Sequence, residues 1–349
     1  MDGLRHGWPI ALAGAPVLLP VETAISPAAQ APHMLLGASR AVTLKLTNQR
    51  DAAPPHAPVL IRGADDFALA AARDIADPSR DLVSPLKGPF RAETLEWDEA
   101  AAAALDLARL AGILPAFLVA PHMGDPAGAD QLAEPVTLDP ADLDCWKDSG
   151  ALTIATRATL PVAACEDAQI VAFRSTNDLR EHVALIIGEQ NADRPPLVRL
   201  HSECLTGDIL GSLKCDCGPQ LDAALAAMAK EAEQGGWGVL LYLRQEGRGI
   251  GLINKLRAYR LQDQGYDTVD ANRRLGLPDE ARDFPVAARM LELLHVGAIR
   301  LMTNNPAKVA ALSSAGVNIS QRVPHQLPAN PHNARYLDTK RDRAGHLLD

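Results

Sequence analysis

The sequence predicts an α/β protein built from two mixed α/β domains, the C-terminal one a sheet flanked by helices and carrying a three-cysteine site. Three observations predict it. Short apolar runs bounded by Gly and Pro alternate with stretches of helical periodicity, a proline-rich stretch interrupts the chain near its middle, and three of the five cysteines cluster just beyond a strand-like run.

The chain has 349 residues, 47% of them hydrophobic and 22% charged, enough for two domains each with its own core. Met1 to Pro20 lacks a basic segment followed by a clean apolar stretch, so it does not read as a signal peptide. No apolar run approaches the roughly 18 residues of a membrane helix. Pro16-Val17-Leu18-Leu19 and Val59-Leu60-Ile61 read as strands, and Phe67 to Ile75 and Trp97 to Leu110 as helices. In the second helix Ala101, Leu105, Ala108 and Ala111 recur at steps of three and four. The histidines of this half, His6, His33, His56 and His122, stand apart from one another and form no compact set of reactive groups. Pro121, Pro126, Pro135 and Pro140 break regular structure, which places a linker at 121–150 between domains at 1–120 and 151–349.

In the second half, Ala158 to Ala164, Gln169 to Arg174 and Glu181 to Gly188 read as strands. Pro219 to Glu233 carries the stripe Leu221, Leu225, Met228 and Ala232 of a helix packed on the sheet. Trp237 to Leu243 is a buried strand, followed by Gly247, Gly249, Gly251 and a helix from Leu252 to Gly265. A strand, a glycine-rich turn and a helix start aim backbone N–H groups at an anion. The strand Arg300-Leu301-Met302 likewise ends in Thr303-Asn304-Asn305-Pro306, with Lys308 in the next helix's first turn.

The cysteines are spaced C-x10-C-x-C at Cys204, Cys215 and Cys217, while Cys145 and Cys165 stand alone. Thiolates suit a soft ion such as zinc, and three protein ligands leave one position for water, as in catalytic sites. The other arrangement has Cys165 or His201 as a fourth ligand, and the metal then only staples a loop. A disulfide is disfavoured, because Cys215 and Cys217 are too close to pair comfortably and nothing suggests export; the reading is a reducing cytoplasm. Three thiolates overcompensate a divalent ion by about one charge, so the site needs cations. Arg199, Lys214, Arg244, Arg248, Lys255 and Arg257 lie nearby in sequence, a set suited to a phosphate ester. The net charge of -9 argues against nucleic acid or an anionic membrane as partner.

Beyond Ala151 the motifs resemble GTP cyclohydrolase II: Arg199-Leu-His-Ser-Glu-Cys-Leu-Thr-Gly-Asp208, Cys215-Asp-Cys217, Arg244-Gln-Glu-Gly-Arg248, Lys255 to Tyr259, Leu261 to Thr268, Thr303-Asn-Asn-Pro306 and Tyr336-Leu-Asp-Thr-Lys340. The resemblance implies a homodimer that hydrolyses GTP, accompanied by magnesium, to a diaminopyrimidine ribosylamino 5'-phosphate, formate and diphosphate, the first step of riboflavin biosynthesis. It implies zinc on Cys204, Cys215 and Cys217. It implies GTP contacts at Arg199, Leu200, His201, Ser202, Glu203, Gln220, Glu246, Gly247, Arg248, Thr268, Thr303 and Lys308, and a tyrosine near the guanine at Tyr259. The family has an Asp proton acceptor and an Arg nucleophile two residues apart. Arg282 matches the arginine, whereas Glu280, with Asp279 beside it, stands at the Asp position. A guanidinium is a poor nucleophile, so electrostatic stabilisation is the physical role read for Arg282.

The first half resembles 3,4-dihydroxy-2-butanone 4-phosphate synthase through Leu4 to Ile10, Asp77-Pro-Ser-Arg80 and Ala104 to Pro115. The synthase's acidic cluster is replaced by Leu12 to Pro20, and its histidine is missing from Arg80 to Leu86, so the expectation is a degenerate domain without synthase activity. Three readings compete with the cyclohydrolase, one of them a bifunctional protein that also consumes ribulose 5-phosphate despite the missing acids. A zinc nucleotide deaminase is suggested by His201-Ser202-Glu203 but lacks P-C-x-x-C, and a non-catalytic or regulatory zinc- and nucleotide-binding protein predicts four protein ligands.

Overall fold

The structure is a computed structural model that describes all residues except 53, 55, 123–133, 144–148, 177–179, 279 and 349. The expected linker at 121–150, Cys145 and Asp279 thus fall wholly or largely outside the described residues. The chain forms two compact units, Met1–Cys145 with Ile250–Asp279, and Trp146–Gly249 with Glu280–Asp349. Both are mixed α/β, each a seven-stranded sheet with helices.

The first unit's sheet has the order β5-β4-β3-β6-β2-β1-β7. Its strands are β1 (Ile10–Leu12), β2 (Leu18–Pro20), β3 (Gln30–Leu36), β4 (Val59–Ala68), β5 (Arg91–Glu93), β6 (Ala116–Val119) and β7 (Val136–Leu138). Neighbours run antiparallel except β1 and β7. Helix Asp98–Ala111 buries the alanine and leucine stripe read from the sequence and stops at Gly112, whose φ of 76° makes the left-handed cap that glycine adopts without strain. Ile250–Asp279 lie inside the span expected for the C-terminal domain, yet they cluster with this unit. Ala258, Leu261, Ala271 and Leu275 share a core with Leu36, Ile61 and Ile75. Arg257 pairs with Glu22 at 3.0 Å and Asp77 at 3.3 Å.

The second unit's sheet has the order β14-β13-β11-β12-β10-β9-β8. Its strands are β8 (Leu152–Thr159), β9 (Gln169–Ser175), β10 (His182–Ile187), β11 (Leu197–Ser202), β12 (Gly238–Leu243), β13 (Ala298–Met302) and β14 (Asn318–Val323). β14, β13, β11 and β12 run parallel, and β10, β9 and β8 continue antiparallel. The strand expected at 158–164 lies earlier, because Pro161 lacks the N–H that a ladder needs. Side chains alternate as the pleat requires. Leu197 and Leu240 pack with helix Cys217–Glu233 on one face, and Val198, Leu200, Val239 and Leu241 pack with helices Pro285–Leu293 and Pro306–Ser314 on the other.

Helices on both faces give the sheet a switch point. β11 crosses over to β12 and β13 to β14, in opposite directions, while β11 and β13 are neighbours. They pair only at Leu197 with Arg300 and Val198 with Leu301, then part toward their carboxyl ends. Such a crevice is where open α/β sheets bind ligands. Among the described residues, no helix is long and apolar enough to cross a membrane.

Candidate active site

The loop after β11 and the start of helix Cys217–Glu233 bring Cys204, Cys215 and Cys217 together, with all three sulfurs within 4.8 Å of one another. Cys204 and Cys215 Sγ are 3.8 Å apart, and the Gly207 N–H donates to Cys204 Sγ at 3.3 Å. Gly207 is required by space: a Cβ there would lie 2.8 Å from Cys215 Sγ, 2.9 Å from Cys217 Cβ and 3.0 Å from Cys204 Sγ. As thiols the group is frustrated. Hydrogen bonding with Cys204 pushes the Cys215 thiol up, and hydrogen bonds with Cys204 and Cys215, then burial, push Cys217 well up. Three soft donors crowded in this way fit a divalent soft cation, which would replace the shared protons. Among the described residues no fourth ligand joins them. Cys165 bridges Val162 and packs near Ala168, and His201 turns its Nε2 to Asp208.

Asp208 organises this loop. Its buried carboxylate accepts from the Cys204 N–H at 3.0 Å, the Tyr242 hydroxyl at 2.9 Å and His201 Nε2 at 3.0 Å. His201 and Tyr242 are paired across β11 and β12, and their rings stack 5.5 Å apart. Facing a carboxylate, the His201 Nε2 carries a proton and donates it to Asp208. His201 Nδ1, Ser202 Oγ, Arg199 Nε and Gln245 Oε1 are buried with no hydrogen-bond partner among the described residues. Buried polar atoms of that kind cost free energy unless a ligand satisfies them.

The crevice is lined with buried cations. Arg199, on β11, donates to the Met302 carbonyl of β13 at 3.2 Å and to Gln220 Oε1, and burial pulls its pKa down to about 10 against the pull of Asp216 and Cys217. Lys308 Nζ donates to the Leu200 carbonyl at 3.0 Å, where the strands have parted. Burial, then the charges of Arg282 and Arg199, hold its ammonium well below the usual lysine range. Both Arg282 and Lys308 lie over the Phe284 ring, at 5.2 and 5.9 Å. Arg282 also forks onto Glu280, with Nε to Oε1 at 2.6 Å. Burial alone would raise the Glu280 carboxyl, but Arg282 outweighs it and holds it below the usual range. Such a concentration of positive charge favours the binding of a further anion.

The turn after β12 ties these parts together. Glu246 accepts from the Leu205 N–H at 2.7 Å and the Gly247 N–H at 2.8 Å, joining the glycine turn to the cysteine loop. Gly247 and Arg248 both have φ of 63°, a conformation that costs a residue with a side chain about 1 kcal/mol and is kept where neighbours over-determine it. Here Gly249 is the over-determining neighbour: a Cβ on it would lie 2.4 Å from the Ala281 carbonyl oxygen.

Of the residues singled out from sequence, Arg199 to Glu203, Gln220, Glu246 to Arg248, Glu280, Arg282, Thr303, Lys308 and the three cysteines all belong to the second unit. Glu203 pairs with the exposed Arg244 at 2.9 Å, and Thr303 Oγ1 accepts from the Asn305 N–H, whose own side chain caps the helix that carries Lys308. Tyr259 and Thr268 belong to the first unit. Lys255 lies 5.8 Å from the Tyr259 ring, and Thr268 Oγ1 accepts from Gln262. Sequence reasoning gave no role to Asp208, Tyr242, Asp216 or Lys340. The signal for Asp216 was its place between two ligating cysteines, and for Lys340 its place in a quoted motif.

The GTP cyclohydrolase II family model matches residues 153–324. A GTP cyclohydrolase-2 of Azospirillum brasilense is 44% identical over 282 residues, covering 79% of this chain and 72% of that protein. The chain belongs to the GTP cyclohydrolase II family. It is an enzyme of that hydrolase class, and the Azospirillum match, being longer than 151–349, reaches into the N-terminal half. A GTP cyclohydrolase-2 of Escherichia fergusonii is 56% identical over 182 residues, 52% of this chain and 90% of that protein. The riboflavin biosynthesis protein RibBA of Bacillus mycoides is 51% identical over 179 residues, 51% of this chain, which spans only 44% of that protein's length. Among solved structures, a two-domain 3,4-dihydroxy-2-butanone 4-phosphate synthase from A. baumannii covers 94% of this chain and 98% of its own at 18% identity and a TM-score of 0.29, too low to bear on fold or function.

Proposed function

We propose that the protein is a zinc enzyme that hydrolyses GTP to 2,5-diamino-6-(5-phospho-ribosylamino)pyrimidin-4(3H)-one, formate and diphosphate, the first step of riboflavin biosynthesis, and works as a cytoplasmic homodimer. The observation that carries this reading is the meeting, at one sheet switch point, of three convergent thiols with the buried cations Arg199 and Lys308. Zinc on Cys204, Cys215 and Cys217 would supply Lewis acidity toward water and the electrophilic C8 of the purine.

The remaining work falls to side chains. Lys308, Arg199, Arg248 and Arg282 take the triphosphate with its magnesium, and phosphate charge offsets the burial that disfavours the Lys308 ammonium. Arg282, held by Glu280 and the Phe284 ring, offers charge to the departing diphosphate without having to act as a nucleophile. Glu280 stays ionised beside it, so its role is to orient the guanidinium and to accept protons only weakly. His201, Ser202, Glu203, Gln220, Glu246, Gly247, Thr268 and Thr303, with the Leu200 backbone, bind and orient the nucleoside, and Tyr259 orients water or moves a proton during ring opening. The N-terminal unit is a degenerate synthase domain that does not consume ribulose 5-phosphate.

The test is direct. Zinc-loaded protein incubated with GTP and magnesium releases formate and diphosphate, and a zinc chelator stops it. Ammonia in place of formate would point to deamination, and no product from folded, zinc-loaded protein would end the cyclohydrolase reading.

A further inference from the structure

The C-terminal motif Tyr336 to Lys340 has no part in the site derived so far, yet the structure ties it to the cysteine loop. It lies on helix Ala334–Ala344. Lys340, nearly buried, places Nζ 2.7 Å from Asp216 Oδ1, in the middle of the Cys215-Asp216-Cys217 unit. The other oxygen of Asp216 accepts from Gln220 Nε2 at 2.6 Å, and Gln220 Oε1 accepts from Arg199. A continuous chain of bonds thus runs from Lys340 through Asp216 and Gln220 to the buried arginine of β11. Tyr336 steadies the cation from the other side, its ring centroid 4.4 Å from Lys340 Nζ and 6.0 Å from the Arg248 guanidinium. The helix is fastened beyond its end as well: after Gly345 turns the chain with φ of 64°, the Leu347 N–H donates to the Asn304 carbonyl at 2.8 Å.

We propose that Lys340 is a positioning residue of the three-cysteine centre, holding the Cys215-Asp216-Cys217 unit in its ligating pose through Asp216 and balancing the excess charge of three thiolates. The physical need is plain, since three thiolates around a divalent ion leave about one uncompensated negative charge. A cation bonded to the residue between two ligands meets that need without occupying a ligand position, and groups that orient ligands in this way are worth about 10- to 100-fold in metal affinity. This rests on the zinc reading of Cys204, Cys215 and Cys217.

The experiment compares full-length, zinc-loaded wild type with Lys340→Met, Lys340→Arg and Asp216→Asn. It measures zinc release to excess chromogenic chelator, then kcat and KM for GTP. Lys340→Met is expected to release zinc about tenfold faster or more. Its kcat falls while its KM stays within about twofold, the pattern of a disturbed centre and not of a lost substrate contact. Lys340→Arg, which keeps the charge, recovers most of the loss. Asp216→Asn, nearly isosteric, reproduces Lys340→Met and tests the same contact should the methionine variant fail to fold. Unchanged zinc release in folded Lys340→Met and Asp216→Asn overturns the proposal, and so does a raised KM with zinc release and kcat unchanged. If even wild type makes no formate, the cyclohydrolase reading fails, while the zinc-release ratio still decides the role of Lys340.

Discussion

Gly207→Ala is the sharpest test of the centre, because it adds one methyl group at the point where the three cysteines meet. The Cβ would lie 2.8 to 3.0 Å from Cys215 Sγ, Cys217 Cβ and Cys204 Sγ, closer than Cβ atoms approach their neighbours in folded proteins. Relief by backbone movement is blocked nearby, since Gly218 already packs so closely that its own Cβ would lie 2.4 Å from the Gly207 carbonyl oxygen. The sulfurs must therefore move apart. Overpacking of this size costs about 1 to 3 kcal/mol. If that strain falls on the metal-bound geometry, it weakens zinc binding by roughly 5- to 150-fold at about 1.4 kcal/mol per tenfold. Titration of apo protein against a chromogenic zinc indicator reads the change, with formate release measured on the same samples. Gly297→Ala, in the same unit with nothing within 4 Å of its Cβ, is the control expected to match wild type. Zinc affinity of Gly207→Ala within about twofold of wild type, with full formate release, refutes the packing argument.

Lys308→Met should weaken binding of GTP by roughly 30-fold, about 2 kcal/mol for a lost charge-assisted bond, while thermal stability at neutral pH holds or rises; calorimetry and a melting curve on one preparation check both halves. His325 titrates near pH 4, its imidazole disfavoured as a cation first by burial and then by Arg199, so the folded state binds fewer protons than the unfolded chain. Its contribution to stability is whole above about pH 6.5 and is lost as pH falls toward 4, and His325→Gln should flatten that slope in urea unfolding measured across the window. Cys215→Ser should lose zinc and activity together, and Tyr259→Phe should lose activity with zinc retained, as metal analysis beside formate release will show.

What could be read from the sequence was whatever is local in it. The cysteines fall within a few residues of one another, and the glycine turn and Lys308 each follow a strand, so their chemistry is written in short motifs. Asp208 escaped because its meaning depends on the register that sets His201 beside Tyr242, a fact of the β11 and β12 pairing. Lys340 escaped because Asp216 lies 124 residues away. The docking of 250–279 on the first unit escaped because a helical stripe tells that a face is buried and not which sheet buries it.

The crevice explains why so many motifs point to one place. Where β11 and β13 part, a protein built for stability alone would continue the ladder or fill the gap with leucine, since buried ions seldom repay their desolvation. This chain instead places Arg199 and Lys308 there, one reaching the β13 carbonyl of Met302 and the other the β11 carbonyl of Leu200. Each cation thus stands in for a missing strand contact, and Arg199 also feels the charge of Cys217. Replacing Lys308 with an apolar residue should disable the site without lowering stability, and a polyanion is the partner whose binding favours keeping the charge.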